Sequence, residues 1–156
     1  MKAPVALLAV AVLLAAPLAA QSDVWLSIAD LYRLDLSTGE ATQVNTDRCY
    51  VYDMQRSSDG SSIYVADARG LHVRSTTNDS APRVIRSGQP FFNIDVVDGV
   101  IYSITQANTA KPESRLVEIF KPDGKVMNQF KVGKYASRIT VTPDGAKIIV
   151  ADLRNN

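Results

Sequence analysis

The stretch SRITVTPDGAKIIVAD, Ser137 to Asp152, decides how the rest of the chain is read. Two runs rich in β-branched residues, RITV and KIIVA, flank the tetrapeptide Thr142-Pro143-Asp144-Gly145. Pro143 presets φ for the first corner of a type I turn, and an aspartate can bond its own backbone to start the loop. Gly145 accepts the positive φ that tight hairpins require. Short length and β-branched content favour strands over short helices. The expectation is strand, Asp-Gly turn, strand.

The same unit recurs. Asp-Gly pairs stand at Asp59-Gly60, Asp98-Gly99 and Asp144-Gly145, 39 and 46 residues apart. The second pair is framed by FFNIDVV and VIYSITQ, the first by YVYDMQR and SSIYVAD. After each second strand the chain passes through a loop into two more strand-like runs: LHVRS then APRVIRS, and RLVEIF then KVMNQFKV. Four short strands, A to D, at this spacing match the period of about 40–45 residues expected of a propeller blade. Runs such as IYVA and IIVA need no alternation if sheets cover both their faces. A two-sheet sandwich explains the strands but not the period. The expected fold class is therefore all-β: a partial β-propeller of about three four-stranded antiparallel blades, with incomplete first and last blades.

VGKYASRITVTPDGAKIIVAD, Val132 to Asp152, resembles the repeat of secreted and periplasmic propellers known as YVTN or WD40-like repeats. LYRLDLSTGEATQV resembles the outer hairpin of the same families, and IFKPDGKVMNQF resembles that of NHL repeats. The resemblance implies a propeller and carries little about activity, because one fold hosts many functions.

Laid on the four-strand unit, DVWLSIA is a B strand, LYRLDLS a C strand and EATQVNT a D strand, so the first blade lacks strand A. The last blade stops after strand B. Propellers close with about 4 to 8 blades. The expectation is a truncated or fragmentary member of a longer family. Two copies that assemble one ring, and an open arc, are the competing readings.

Residues 1–20 carry Lys2, then an uncharged apolar run of 14 residues from Ala3 to Ala16, then Pro17 and small residues. That is the layout of a cleaved signal peptide. The run falls short of the ~20 residues that span a bilayer core. Gln21 stands where a bacterial lipoprotein needs a cysteine. The expected domains are a signal peptide at 1–20 and a partial propeller at 21–156, periplasmic or extracellular, with no membrane contact after cleavage. Without Lys2 the chain has 16 basic and 16 acidic residues. That balance argues against nucleic acid as a partner. Cys49 is the single cysteine, so no internal disulfide and no cysteine-cluster metal site can form.

Lactonases resembling gluconolactonase open their first blade with Glu-Gly-Pro-x-Trp, the Glu being a metal ligand. Gln21-Ser22-Asp23-Val24-Trp25 keeps the Trp and lacks the carboxylate. A second ligand of that family, an Asn ahead of its Ser-Pro-Asp-Gly turn, is replaced here by Ser137. Hard cations need several oxygen ligands, so no metal site is assigned. His72, the single histidine, lies on an outer strand and reads as structural, and Cys49 reads as a small buried hydrophobe. Asp67 and Asp152 end B strands in Val-Ala-Asp and read as loop caps. Asn78-Asp79-Ser80 is a glycan acceptor only in a eukaryotic secretory pathway.

No catalytic residue and no cofactor is assigned. The loops that lead from D into A and from B into C share one face and carry Arg48, Tyr50, Phe91, Tyr135 and Arg138. Aromatic and arginine side chains dominate recognition surfaces, which makes these five the candidate binding face. The functional expectation is an exported, non-catalytic scaffold segment that binds a protein or a small polar ligand, or self-associates to complete a ring. The alternatives are a fragment of a lactonase-like hydrolase and the propeller subunit of a periplasmic redox complex.

Overall fold

The computed structural model describes residues 23–27, 31–44, 50–77, 81–106 and 115–153. The expected signal peptide, Arg48, Cys49, the Asn78-Asp79-Ser80 triplet and the loop at 107–114 lie outside them. The chain divides into two compact units, Met1–Arg48 and Cys49–Asn156.

In the first unit, β1 (Asp23–Ser27), β2 (Leu31–Asp35) and β3 (Ala41–Gln43) form one antiparallel sheet in that order. The turn after β2 is held by Asp35, whose Oδ1 accepts from the Ser37 amide at 2.7 Å and the Thr38 amide at 3.2 Å. The Ser37 hydroxyl donates to the same oxygen at 2.6 Å. These bonds, the hydroxyl first, hold the Asp35 carboxyl below its usual range.

The second unit has two complete four-stranded antiparallel sheets. One runs β4 (Val51–Arg56), β5 (Ser62–Asp67), β6 (Gly70–Ser75), β7 (Arg83–Ser87); the next runs β8 (Phe91–Val97), β9 (Val100–Gln106), β10 (Arg115–Phe120), β11 (Val126–Val132). A two-stranded sheet follows, β12 (Ala136–Val141) with β13 (Ile148–Asp152). The architecture is all-β, with strands in the A-to-D order that the repeat predicts: a partial β-propeller.

Sheet stacks on sheet through side chains. Tyr64, Ala66, Leu71 and Ile85 of the first complete sheet pack against Phe91, Ile94, Ile101 and Phe120 of the second. The opposite face of the second sheet offers Tyr102, Ile104 and Val117 to Ala136, Ile139 and Val141. Both faces of β9 are therefore covered, which explains its apolar run without alternation. Burying aliphatic and aromatic side chains of this size contributes about 1.5–3 kcal/mol each. Polar contacts cross the first interface too: Glu118, 4% exposed, accepts from Arg86 at 3.3 Å and from Gln89 at 3.3 Å. A buried carboxylate persists when it is paired in this way.

The Asp-Gly turns divide into two kinds. Asp98 and Gly99 both have positive φ, 49° and 73°, in a two-residue loop between paired Val97 and Val100. At the other two sites the glycine alone is left-handed, and its amide closes a turn onto the residue three back: Gly60 to Ser57 at 2.9 Å, Gly145 to Thr142 at 2.7 Å. In each, the aspartate caps the amide two residues on, Ser61 or Ala146, at 3.0 Å.

Candidate functional site

The candidate face is built where the inner strands begin, and the backbone repeats itself there. In each sheet of the second unit an amide at the end of the B strand, or just past it, donates to the carbonyl of the residue preceding the A strand: Ala68 to Tyr50 at 3.3 Å, Gln106 to Pro90 at 3.4 Å, Leu153 to Tyr135 at 3.1 Å. Each inner strand then carries a bulge at its second residue, between Val51 and Asp53, Phe91 and Asn93, and Ala136 and Arg138. The extra residue is left out of the ladder and its side chain is re-aimed. This register makes Tyr50, Pro90 and Tyr135 equivalent, and likewise Tyr52, Phe92 and Ser137, and Asp53, Asn93 and Arg138.

The structure divides the expected binding residues. Tyr50 and Tyr135 are 71% and 44% exposed, and Arg138 is exposed on β12. The Lys134 ammonium lies 4.7 Å from the centre of the Tyr135 ring. Phe91 must be corrected: it is fully buried, edge-on to Phe120 with centroids 6.1 Å apart, and belongs to the core. Side chains alternate across a strand, and Phe92, leaving the strand on the other side from Phe91, is part-buried and packs at the margin of the cluster that holds Tyr102, Ile104 and Ala136.

Phe92 joins a group the sequence reading missed. Its ring stands 5.5 Å from that of Tyr52, tilted by 50°, and the Arg115 guanidinium carbon lies 4.0 Å over the Phe92 centre. Arg115 is fixed by donating from Nη1 to Ala136 O at 2.7 Å. Burial lowers the Arg115 pKa somewhat, yet a guanidinium stays charged at any physiological pH. The signal available in the sequence was the pair Tyr52 and Phe92, which coincide once the blades are aligned on Val51 and Phe91.

Below this stack, acidic and amide side chains serve backbone donors of the next sheet. Asp53 Oδ2 accepts from the Asn93 side-chain amide and from Ile94 N at 2.9 Å, while Oδ1 accepts from its own neighbour Met54 N at 2.8 Å. Asn93 Oδ1 in turn accepts from Ile139 N at 2.6 Å. Asp95 repeats the device, taking Val96 N at 2.8 Å and Val141 N at 2.7 Å. Burial pushes the Asp53 carboxyl up; the Ile94 and Met54 amides and the charge of Arg138 oppose that, and Asp95 adds to it. These carboxylates are spent on structure.

The remaining polar sites are also structural. Asp67 Oδ1 caps the next loop through the amides of Arg69 and Gly70 at 2.7 and 2.8 Å, and its Oδ2 lies 3.2 Å from His72 Nε2. Burial alone would raise the Asp67 pKa, but the His72 bond and the two amides outweigh it and the net shift is downward. Asp152 Oδ2 lies so near Gly133 that an added Cβ would sit 1.6 Å from it. Among the described residues no three His, Cys, Asp or Glu side chains gather to hold a metal ion.

Comparison with known proteins supports the fold. No family model and no curated protein matches the sequence. Solved structures do. A chain of the Kuenenia stuttgartiensis hydrazine synthase is similar over 83% of this chain and 40% of its own, with a TM-score of 0.66 and 15% identity. A chain of a nidogen/laminin complex gives 84% and 52%, 0.64 and 18%, and one of a mitotic checkpoint complex 82% and 40%, 0.62 and 13%. This chain thus spans about half or less of each neighbour's length. The neighbours are propeller-type proteins, and the likeness at this identity is one of fold.

Proposed function

We propose that the chain is an exported, non-catalytic propeller scaffold of the YVTN-like repeat type, which binds a protein or small polar ligand at the entrance of its inner strands. One observation carries the reading: the stack of Tyr52, Phe92 and Arg115, flanked by exposed Tyr50 and Tyr135. Rigid aromatics and a desolvated guanidinium are the side chains that concentrate binding energy at interfaces. Arg115 is charged and part-buried and, among the described residues, pairs with no carboxylate, an arrangement suited to an acidic group on the ligand.

A photo-crosslinking residue in place of Tyr52, in the full chain expressed in cells, tests it. The expected result is a discrete adduct that is absent when the same residue replaces Val84, which is 53% exposed on the outer strand β7. Equal labelling at both positions would remove the binding face. Export is tested on the same culture by fractionation and by N-terminal sequencing, which should begin at Gln21 or Asp23. Hydrolysis of a lactone by the purified chain with a divalent cation would replace this reading with the lactonase-like one.

A further inference from the structure

The chain holds four Asp-Gly pairs: the three repeat turns and Asp123-Gly124, between β10 and β11. Such a pair is open to an internal reaction, because glycine has no side chain to shield its nitrogen from the preceding carboxyl. Whether a folded pair reacts depends on what already engages those two groups. At three of the pairs both are engaged. The Gly60, Gly124 and Gly145 amides donate to the carbonyls of Ser57, Lys121 and Thr142 at 2.9, 2.8 and 2.7 Å. The Asp59 carboxyl accepts from the Ser57 hydroxyl at 2.6 Å and the Ser61 amide at 3.0 Å, and the Asp123 carboxyl from the Lys125 amide at 2.9 Å. Asp144 accepts from the Thr142 hydroxyl and from the Ala146 amide at 3.0 Å.

Asp98-Gly99 differs in each respect. Its hairpin is closed by the pairing of Val97 with Val100, which leaves both groups of the loop unused. Among the described residues no hydrogen bond engages the Asp98 carboxyl or the Gly99 amide. Both residues are exposed. Space is open as well: a Cβ built on Gly99 meets nothing within 4 Å, whereas one on Gly60 would stand 2.6 Å from the Arg56 guanidinium and one on Gly124 2.7 Å from Ile85 O.

We infer that Asp98 is the site at which the folded chain converts an aspartate to isoaspartate without an enzyme. The Gly99 nitrogen attacks Asp98 Cγ; the N–Cγ bond forms as the carboxyl hydroxyl and the amide proton leave as water, giving a cyclic succinimide. Water then opens the ring. Addition at Cγ restores aspartate, while addition at the main-chain carbonyl carbon routes the backbone through Cβ and Cγ, one methylene longer, with no net change of mass or oxidation state. The backbone must turn for the two atoms to meet. At Asp98 that motion breaks no hydrogen bond of either reacting group, and at each of the other pairs it breaks at least two. Two bonds of ordinary net strength slow the reaction by about tenfold or more. The product lengthens the loop between Val97 and Val100, which pack on the core cluster of Tyr102 and Ile104. The site lies at the opposite end of β8 from Phe92 and does not depend on the Tyr52 face.

The full chain is aged folded in mildly acidic buffer, beside a sample unfolded in guanidinium chloride at the same pH. Proteolytic digestion followed by electron-transfer fragmentation, which distinguishes the two linkages, reads every Asp-Gly position over time. In the unfolded sample all the pairs should isomerise at comparable rates, set by the dipeptide they share. In the folded chain position 98 should lead the other three by about tenfold or more. Asp98→Asn keeps a pair favoured in this turn and should release ammonia through the same ring, faster than the parent forms isoaspartate. Asp98→Glu, whose ring would be one atom larger, should leave the position unmodified. Isoaspartate at 59, 123 or 144 ahead of 98 in the folded chain overturns the inference. So does its absence at 98 by the time the unfolded chain carries it at every pair, or survival of the Asp98→Asn amide over the same interval.

Discussion

Asn93→Ala tests whether the inner strands are held together by side chains that serve the neighbouring sheet's backbone. Asn93 is 5% exposed; its amide donates to Asp53 and its carbonyl accepts from Ile139 N at 2.6 Å. Alanine orphans the Ile139 amide, a buried donor worth about 1–3 kcal/mol, and takes a donor from a carboxylate, a charge-assisted bond worth about 1.5–3 kcal/mol. Together the loss is about 2.5–6 kcal/mol, a large part of the roughly 5–15 kcal/mol of a typical domain. With a urea slope of about 2 kcal/mol/M, the midpoint of the full chain at neutral pH should fall by about 2 M. Asn93→Asp sharpens the test, because it sets a second carboxyl against Asp53 and the pair must share a proton. A folded-state pKa raised in this way gives stability that is present at low pH and lost as pH rises through it. The variant should approach the parent near about pH 4 and fall well below it near about pH 7. A midpoint change under about 0.5 M for Asn93→Ala, or an Asn93→Asp deficit that ignores pH, would refute the reasoning.

Gly70→Ala should destabilise by about 1–3 kcal/mol or more on thermal unfolding, because its Cβ would lie 2.1 Å from the backbone oxygen of Arg86. Asp59, fully exposed, is drawn down to about 2 by the Ser57 hydroxyl, then by the amide and hydroxyl of Ser61. Its contribution is present above the unfolded carboxylate range and is lost as pH falls through about 2; a carboxyl NMR titration of Ser57→Ala should move the midpoint back toward 3.8, and an unchanged midpoint would contradict the assignment. Tyr52→Ala with Arg115→Gln should abolish crosslinking from position 50 while changing the urea midpoint by less than about 1 M, since Tyr52 is 48% exposed. Loss of folding instead would make the stack a packing element.

The strand order was legible because its signals are local. Asp-Gly pairs, Pro143 and double-sided apolar runs each report a backbone requirement within a few residues, and they located β4, β5, β8, β9, β12 and β13. The two-residue turn at Asp98-Gly99 and the longer turns at Asp59-Gly60 and Asp144-Gly145 read alike, since the pair is the same and only the residues around it differ. The binding face was half legible. Tyr50 and Tyr135 precede their strands and are exposed, while Phe91 and Phe92 differ only in which side of the strand they leave from. A one-residue bulge settles that, and no composition or spacing reports a bulge. Arg115 was beyond reach for a different reason: it meets Phe92 from two strands away, at a sequence separation that only the sheet brings to 4.0 Å.

The bulge also accounts for where the polar groups sit. A doubled residue near the start of each inner strand disturbs the ladder just where sheets converge and bulky apolar side chains have least room. The following amide on the next sheet needs an acceptor, and a short side chain on the preceding inner strand is in position to supply it. Asp53 supplies Ile94, and Asn93 supplies Ile139. Aspartate serves two generations of the same amide, its own neighbour Met54 and the equivalent Ile94, just as Asp95 serves Val96 and the equivalent Val141. The third member of the row is Arg138, which has donors and no acceptor. The row therefore changes at Arg138 from side chains that hold neighbouring sheets together to an exposed cation. Arg138→Asn would restore an acceptor and remove the charge that helps keep Asp53 ionised. The Asp53 carboxyl should then titrate higher in that variant, and a titration that stays in place would separate Arg138 from the row.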